Sequence, residues 1–296
     1  MTNKSLKIIC FGEILWDVFP DKTLLGGAPL NVAMRLHSLG AQVTMVSSVG
    51  IDDRGHKAIQ IMEDNGLSTH GVSRLEDIPT GQVLVSLSDG IAEYSITENA
   101  AWDHIIVSEE IIAEVKVADA LVFGSLALRQ PANREVLIRL LAHSSYSIFD
   151  LNLRSPYYSE ETIIDLLKKP DFVKMNDEEL DWVCETIGIT TTNKKDQLKQ
   201  LGEYTNASTI CVTLGKDGAM VAHNSYLTSH PGYKVKVADT VGAGDAFLAG
   251  LIFKILSKTS VPDALNLACA LGATVASKAG ANCTVTTDEL ELLIHK

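Results

Sequence analysis

Short apolar runs rich in Val, Ile and Phe alternate along this chain with longer stretches of helical periodicity. That alternation leaves few ways to fold. Parallel strands buried on both faces read as continuous apolar runs, and each crossover between them takes a helix. Strands are expected at Lys7–Glu13, Gln42–Val49, Ala120–Phe123, Ser147–Asp150, Phe172–Met175 and Thr209–Leu214. Helices are expected at Asn31–Leu39, which stops at Gly40, at Arg54–Asn65, which stops at Gly66, and at Pro131–His143, with proline in its first turn. The last third reads as helices Asp245–Ser257, Pro262–Lys278 and Thr287–His295. The fold class is therefore α/β, with a mostly parallel central sheet covered by helices on both faces.

One stretch breaks the pattern. Gln82–Ser88 and Ile91–Thr97 flank Asp89-Gly90, a pair that readily takes the positive φ values of a tight hairpin turn. A hairpin inserted between two crossover units does not join a parallel sheet easily. Residues 12–30 and 72–102 are accordingly read as a small β appendage on one large domain spanning 1–296.

Composition narrows the partners. With 25 Lys and Arg against 37 Asp and Glu, the formal charge is −12 and basic residues form no block, so neither nucleic acid nor an anionic membrane surface is expected to bind. The apolar N-terminal stretch is interrupted by Glu13 and Asp17 and is not read as a secretory leader. No apolar run reaches the ~18 residues of a membrane span. Five scattered cysteines without a C-x-x-C pair fit a reducing cytoplasm rather than a disulfide framework.

The segment Asp239-Thr-Val-Gly-Ala-Gly-Asp245 carries the clearest chemistry. Gly242, Ala243 and Gly244 precede a helix whose unpaired amides and roughly half a unit of positive charge suit a phosphate or another developing anion. Alone, it reads equally as a tight turn with Asp245 as cap. A dinucleotide fingerprint fails because Phe247 stands where its third glycine or alanine belongs, and a P-loop fails because Gly215-Lys216 is followed by Asp217. Gly26-Gly27-Ala28-Pro29-Leu30-Asn31 is the second such segment, open to a close-lying ligand or, more simply, to a turn with an asparagine cap.

These two segments, in this order and about 200 residues apart, resemble the paired signatures of the ribokinase-like (PfkB) family of carbohydrate kinases. The resemblance covers essentially the whole chain. It implies a three-layer α/β/α fold, with the β appendage as a lid over the sugar site and a surface for a homodimer. It further implies ATP and Mg2+ as cofactors and a small sugar as acceptor. Phe149-Asp150-Leu-Asn152-Leu-Arg154 resembles the strand end that faces the acceptor, with Asp150 and Asn152 toward the sugar and Arg154 toward the moving phosphoryl group. Lys174-Met-Asn176-Asp-Glu-Glu179 matches an element whose Asn176 and Glu179 act near Mg2+-bound phosphates through water. Thr213-Leu-Gly215-Lys-Asp-Gly218 resembles the nucleotide loop, although a hairpin turn would read the same way.

By the same resemblance, Asp245 takes the proton of the sugar hydroxyl while the amides of Gly242, Ala243 and Gly244 hold the anionic charge. The helix dipole is expected to keep the Asp245 carboxyl acidic, so that its proton arrives late. Asp17 would accept sugar hydroxyls, Gly26, Gly27 and Asn31 would line the sugar, and Trp102 either stacks on it or is buried. Asp239, with Val241 through its carbonyl, and Gly280 and Thr284 match a site for K+. Within the family, Gly-Glu-Ile-Leu-Trp-Asp17 and Ala28-Pro29-Leu30 between the paired glycines and Asn31 are most similar to bacterial fructokinases. The expected reaction is therefore phosphorylation of D-fructose at its 6-hydroxyl. Ribokinase and 2-keto-3-deoxygluconate kinase are the alternatives, and a non-catalytic sugar- or nucleotide-binding protein is the reading from another class.

Overall fold

The computed structural model describes residues 5–88, 91–224 and 226–295, with 85–88 and 91–94 described by backbone alone. Its strands are β1 (Lys7–Phe11), β2 (Leu15–Val18), β3 (Thr23–Gly26), β4 (Gln42–Gly50), β5 (Val72–Leu75), β6 (Gly81–Ser88), β7 (Ile91–Ile96), β8 (Ala120–Gly124), β9 (Ser147–Asp150), β10 (Phe172–Asn176), β11 (Thr209–Thr213), β12 (Ala219–His223) and β13 (Tyr226–His230). The helices are α1 (Ala28–Ser38), α2 (Asp53–Asp64), α3 (Glu109–Val117), α4 (Pro131–Leu141), α5 (Glu160–Leu166), α6 (Asp177–Thr186), α7 (Lys194–Thr205), α8 (Ala243–Leu256), α9 (Val261–Ala276) and α10 (Thr287–Ile294).

Nine strands form the main sheet in the order β13-β12-β11-β10-β9-β8-β1-β4-β5, parallel from β11 to β5 and antiparallel only at the β11–β12–β13 end. Because side chains alternate along a strand, each central strand feeds two cores. Ile9 and Phe11 of β1, Phe123, Phe149 and Met175 pack with α3 to α7, whereas Ile8, Cys10, Val122, Ile148 and Phe172 pack with α1, α2, α8 and α9. This is the expected three-layer arrangement. Every expected strand and helix has its counterpart, with ends shifted by a few residues.

A second sheet, ordered β3-β2-β6-β7, makes the lid. It is narrower than the 12–30 and 72–102 boundaries. Val72–Leu75 pairs in parallel with β4, register Ser47↔Val72, and so belongs to the edge of the main sheet. Ala101–Asp103 is a buried helical turn beneath the lid. The antiparallel pairing of β6 with β7 agrees with the expected hairpin, whose Asp89-Gly90 turn lies outside the described residues. Of the β12–β13 pair, β13 was not legible because it is an edge strand of largely exposed, mixed side chains, Tyr226 being 80% exposed, and β12 because its buried run is only Ala219-Met220-Val221.

Candidate active site

The C-terminal ends of β1, β9 and β10 and the N-terminal ends of α1 and α8 meet over the sheet, where chain order reverses on either side of β1. Open α/β sheets bind their ligands at such a crevice. Here it is a cavity of about 540 Å3, roofed by Leu15 and Asp17 of β2, Val83 and Ile96.

Two helix starts are built for close approach. Gly27 caps α1 at φ +113°, and a Cβ there would lie 2.3 Å from the Glu13 carbonyl oxygen. Gly242 caps α8 at φ +76°, and its Cβ would lie 2.2 Å from that of Ala281. Any side chain at either position would need both a disfavoured backbone and a displaced neighbour.

Asn31 is not the cap of α1. It lies inside the helix, buried, and its Nδ2 donates to Asp245 Oδ2 at 2.8 Å. Asn282 Nδ2 in turn donates to Asn31 Oδ1 at 3.0 Å, and Arg35 Nη2 to the Cys283 carbonyl at 2.8 Å. This chain of bonds fixes the Asp245 carboxylate between α1 and the loop after α9. Burial pushes the Asp245 carboxyl up to about 6, against the lowering hydrogen bond from Asn31. This direction is opposite to the acidic shift expected from the helix dipole, desolvation of the half-buried carboxylate being the largest cause.

Asp17 enters the cavity from β2, and burial raises its carboxyl to about 6, with the Arg154 guanidinium opposing that rise. Gly26 lies behind it, where a Cβ would come within 2.5 Å of Asp17 Oδ2. Asn152, Arg154, Val241 and Gly244 complete the part of the wall anticipated from sequence. With Asp17 and Asp245 both acting as anions, the roles expected from the sequence, kcat/KM should fall as pH drops through about 6, with a slope steeper than one decade per unit once both protonate. A profile that stays flat to about pH 5 would contradict both roles.

Several anticipated residues stand elsewhere. Asp150 is buried behind the wall, its two oxygens 2.9 and 3.1 Å from Lys174 Nζ, so it holds that ammonium rather than sugar. Trp102 is fully buried under the Arg129 guanidinium, 4.0 Å from ring centre, which leaves the structural alternative. The Ala243 amide donates to the Thr240 carbonyl at 3.2 Å, and Gly242 and Gly244, on either side of it, line the cavity.

Asn176 and Glu179 form a reciprocal cap of α6, and Glu179 Oε1 also accepts from the Leu153 amide at 2.7 Å, next to Arg154. Thr213, Gly215 and Gly218 lie at the β11–β12 turn, so the hairpin and nucleotide-loop readings describe the same residues. Asp239 accepts from the amides of Val241 at 3.0 Å and Gly280 at 3.2 Å, joining the loops before α8 and after α9. The Thr284 carbonyl is instead taken by Lys278 Nζ at 2.7 Å.

Two wall residues escaped the sequence reading. Glu13 is buried, with Oε1 accepting from the Ala28 amide at 3.2 Å and Oε2 without a partner, and burial lifts its carboxyl to about 7. Lys174 is buried as well. Desolvation pulls its pKa down, but the carboxylates of Asp150 and Glu179 outweigh that and hold it above the usual lysine value. A lysine inside an apolar strand, 24 residues after an aspartate at a strand end, was the available signal for this pair.

The family model described as pfkB family carbohydrate kinase matches residues 5–288. Fructokinase-2 of Oryza sativa is 28% identical, covering 93% of this chain and 89% of that protein. The crystal structure of fructokinase with bound ATP from Xylella fastidiosa superposes with a TM-score of 0.86 at 25% identity, covering 98% of each chain. A 2-dehydro-3-deoxygluconokinase from Thermotoga maritima reaches 0.84 at 19% identity over 98% of this chain and all of that one, so the fold alone does not choose the acceptor. An aspartate held at a helix start beside glycine amides, facing a lid carboxylate and an arginine, is what phosphoryl transfer to an alcohol requires, and with the match over residues 5–288 the chain belongs to the pfkB family of carbohydrate kinases.

Proposed function

We propose that the protein transfers the γ-phosphoryl group of ATP to the 6-hydroxyl of D-fructose. The observation that carries the reading is the Asn31–Asp245 pair at the head of α8, opposite Asp17 and Arg154 in one cavity. The similarity to fructokinases over nearly the whole chain supports fructose as acceptor.

Phosphoryl transfer asks mainly for positioning and for stabilisation of charge on the moving oxygens. Asp17 orients the sugar from the lid. Asp245 accepts the hydroxyl proton, its raised pKa making it a stronger base than an exposed aspartate. The Gly242 and Gly244 amides and Arg154 receive the negative charge. Lid closure excludes water, the competing acceptor. ATP would lie along the β11–β12 turn at Thr213, Gly215 and Gly218.

Among the described residues no cluster of three His, Cys, Asp or Glu side chains is arranged to hold a metal ion. Mg2+ would be carried by the phosphates and water, with Asn176 and Glu179 facing it through water and the ion supplying charge neutralisation. A monovalent cation would take the Asp239, Val241 and Gly280 loops, with Thr284 reaching it only after Lys278 moves. No helix among the described residues is long and apolar enough to cross a membrane, and we place the enzyme in the cytoplasm. Leu84 on the lid, 47% exposed, marks the face for a second copy, an idea that sedimentation as a monomer would remove.

The test is ADP release over fructose, ribose, 2-keto-3-deoxygluconate and no acceptor, in K+ and in choline buffers. Fructose should give the highest kcat/KM and K+ the higher rate. Another acceptor turning over faster refutes the fructose assignment, and equal rates in choline refute the K+ site.

A further inference from the structure

A second cavity, also about 540 Å3, lies beside the first. The segment 152–159 serves both: Asn152, Leu153, Arg154 and Ser155 wall the catalytic cavity, Pro156, Tyr158 and Ser159 wall the second, and Tyr157 walls both. The remaining wall comes from α4, α5, the turn before α4 and residues just after β7.

Its arginine donors are incompletely partnered. Arg129 gives Nε and Nη2 to the two oxygens of Asp103 at 2.7 and 2.6 Å, while its Nη1 is buried without an acceptor. Arg134 gives Nη1 to Thr162 Oγ1 at 2.8 Å, has no carboxylate partner among the described residues, and keeps a buried Nε unsatisfied. Asp103 neutralises Arg129, which leaves Arg134 as the guanidinium of the wall without an ion-pair partner and Glu98 as the wall's carboxylate. Buried donors without acceptors are costly, more so on charged groups. An incoming group rich in acceptor oxygens and negative charge would relieve both arginines, and a guanidinium fork matches phosphate geometry. Tyr157 and Tyr158 add aromatic surface suited to the C–H face of a sugar, and the volume equals that of the cavity assigned to the acceptor.

The same wall holds the lid. Tyr157 Oη lies 3.3 Å from both the amide and the carbonyl of Ile96, the last residue of β7, and Arg129 Nη2 donates to the Thr97 carbonyl at 2.6 Å. Ile96 itself roofs the catalytic cavity. A ligand that engages Arg129 or Tyr157 therefore touches the groups that anchor the lid strand, and differential contact with open and closed lids is all that coupling between two sites requires.

We propose that this second cavity binds a small sugar phosphate, its phosphate on Arg134 and Arg129, and that occupancy changes acceptor affinity through the end of β7. The binding arm of the test needs no turnover and stands whichever sugar is phosphorylated.

The experiment is calorimetric titration of the full chain with fructose 6-phosphate and, separately, inorganic phosphate, with the catalytic cavity filled by saturating fructose and a non-hydrolysable ATP analogue. Fructose 6-phosphate should still bind at one site per chain, more tightly than inorganic phosphate. Arg134→Gln should weaken it at least tenfold, with Arg134→Lys in between. In turnover assays fructose 6-phosphate should change the acceptor KM of the wild type but not of Arg134→Gln, whose kcat and KM without effector should stay within twofold of wild type. Absence of binding once the catalytic cavity is filled, or unchanged binding by Arg134→Gln, overturns the site. Equal affinity for inorganic phosphate overturns the sugar's part in it. Should Arg134→Gln fail to fold, Thr162→Val, which removes the acceptor of Arg134 Nη1 together with that of the Ser159 hydroxyl, should weaken binding in the same direction, and no change there overturns the proposal.

Discussion

Asp245→Asn should lower kcat by about 10²- to 10⁴-fold while leaving fructose affinity within about tenfold, as read by ADP release and by calorimetry with the sugar alone. The substitution is nearly isosteric. Asn31 Nδ2 donates to Asp245 Oδ2 at 2.8 Å, and an asparagine oxygen accepts that bond as well, so the Asn282–Asn31–245 chain and the start of α8 survive. What disappears is the capacity to take the hydroxyl proton. Burial raises that carboxyl to about 6, so the group lost is a stronger base than an exposed aspartate. Binding should change little because Asp17, Gly27 and Asn152, the residues proposed for the sugar, line the cavity independently of Asp245. A kcat close to wild type would remove Asp245 from the chemistry. A loss of binding equal to the loss of rate would make it a sugar ligand instead.

The fold was largely readable from one dimension because its signals are local. β-rich runs buried on both faces remain apolar throughout, and helix ends carry their own glycines and prolines, so the central strands and the helices around the cavity were legible to within a few residues. Val72–Leu75 was misplaced in the lid because a four-residue edge strand with polar Ser73 and Arg74 carries no pattern that separates it from a loop. The site divided along the same line. Asp17, Asn31, Arg154, Gly242, Gly244 and Asp245 sit at element ends with recognisable spacing, and the structure brings them to one cavity. Asp150, Lys174 and Glu13 were misread or missed because their roles depend on burial and on neighbours across the sheet. Parallel register places Lys174 opposite Asp150, and nothing in the local sequence announces that a charged pair is enclosed there.

That enclosed pair makes the second large expectation. Lys174→Met should destabilise the protein by about 3 to 5 kcal/mol, the usual consequence of removing one partner of a buried ion pair and stranding the other. At roughly 2 to 4 °C per kcal/mol for a chain of this size, thermal unfolding should come on the order of 10 °C earlier. Both Asp150 oxygens now rest on the ammonium at 2.9 and 3.1 Å, and both side chains are at least nine-tenths buried. Combining Lys174→Met with Asp150→Asn removes the stranded charge, so the double variant should recover most of the lost stability even though two native side chains are gone. The two variants also separate stability from chemistry. Lys174 lowers the Asp245 carboxyl, whereas Asp150 raises it. The single variant should therefore move the acid limb of kcat/KM to higher pH, because an already raised Asp245 loses a nearby cation while keeping a nearby anion. The double variant, with both charges removed, should return the limb toward its original position. If the double variant melts no later than the single one, Asp150 is not stranded and the pair does not stabilise as described. If the single variant keeps the wild-type limb, Lys174 supports the sheet but does not act on the base.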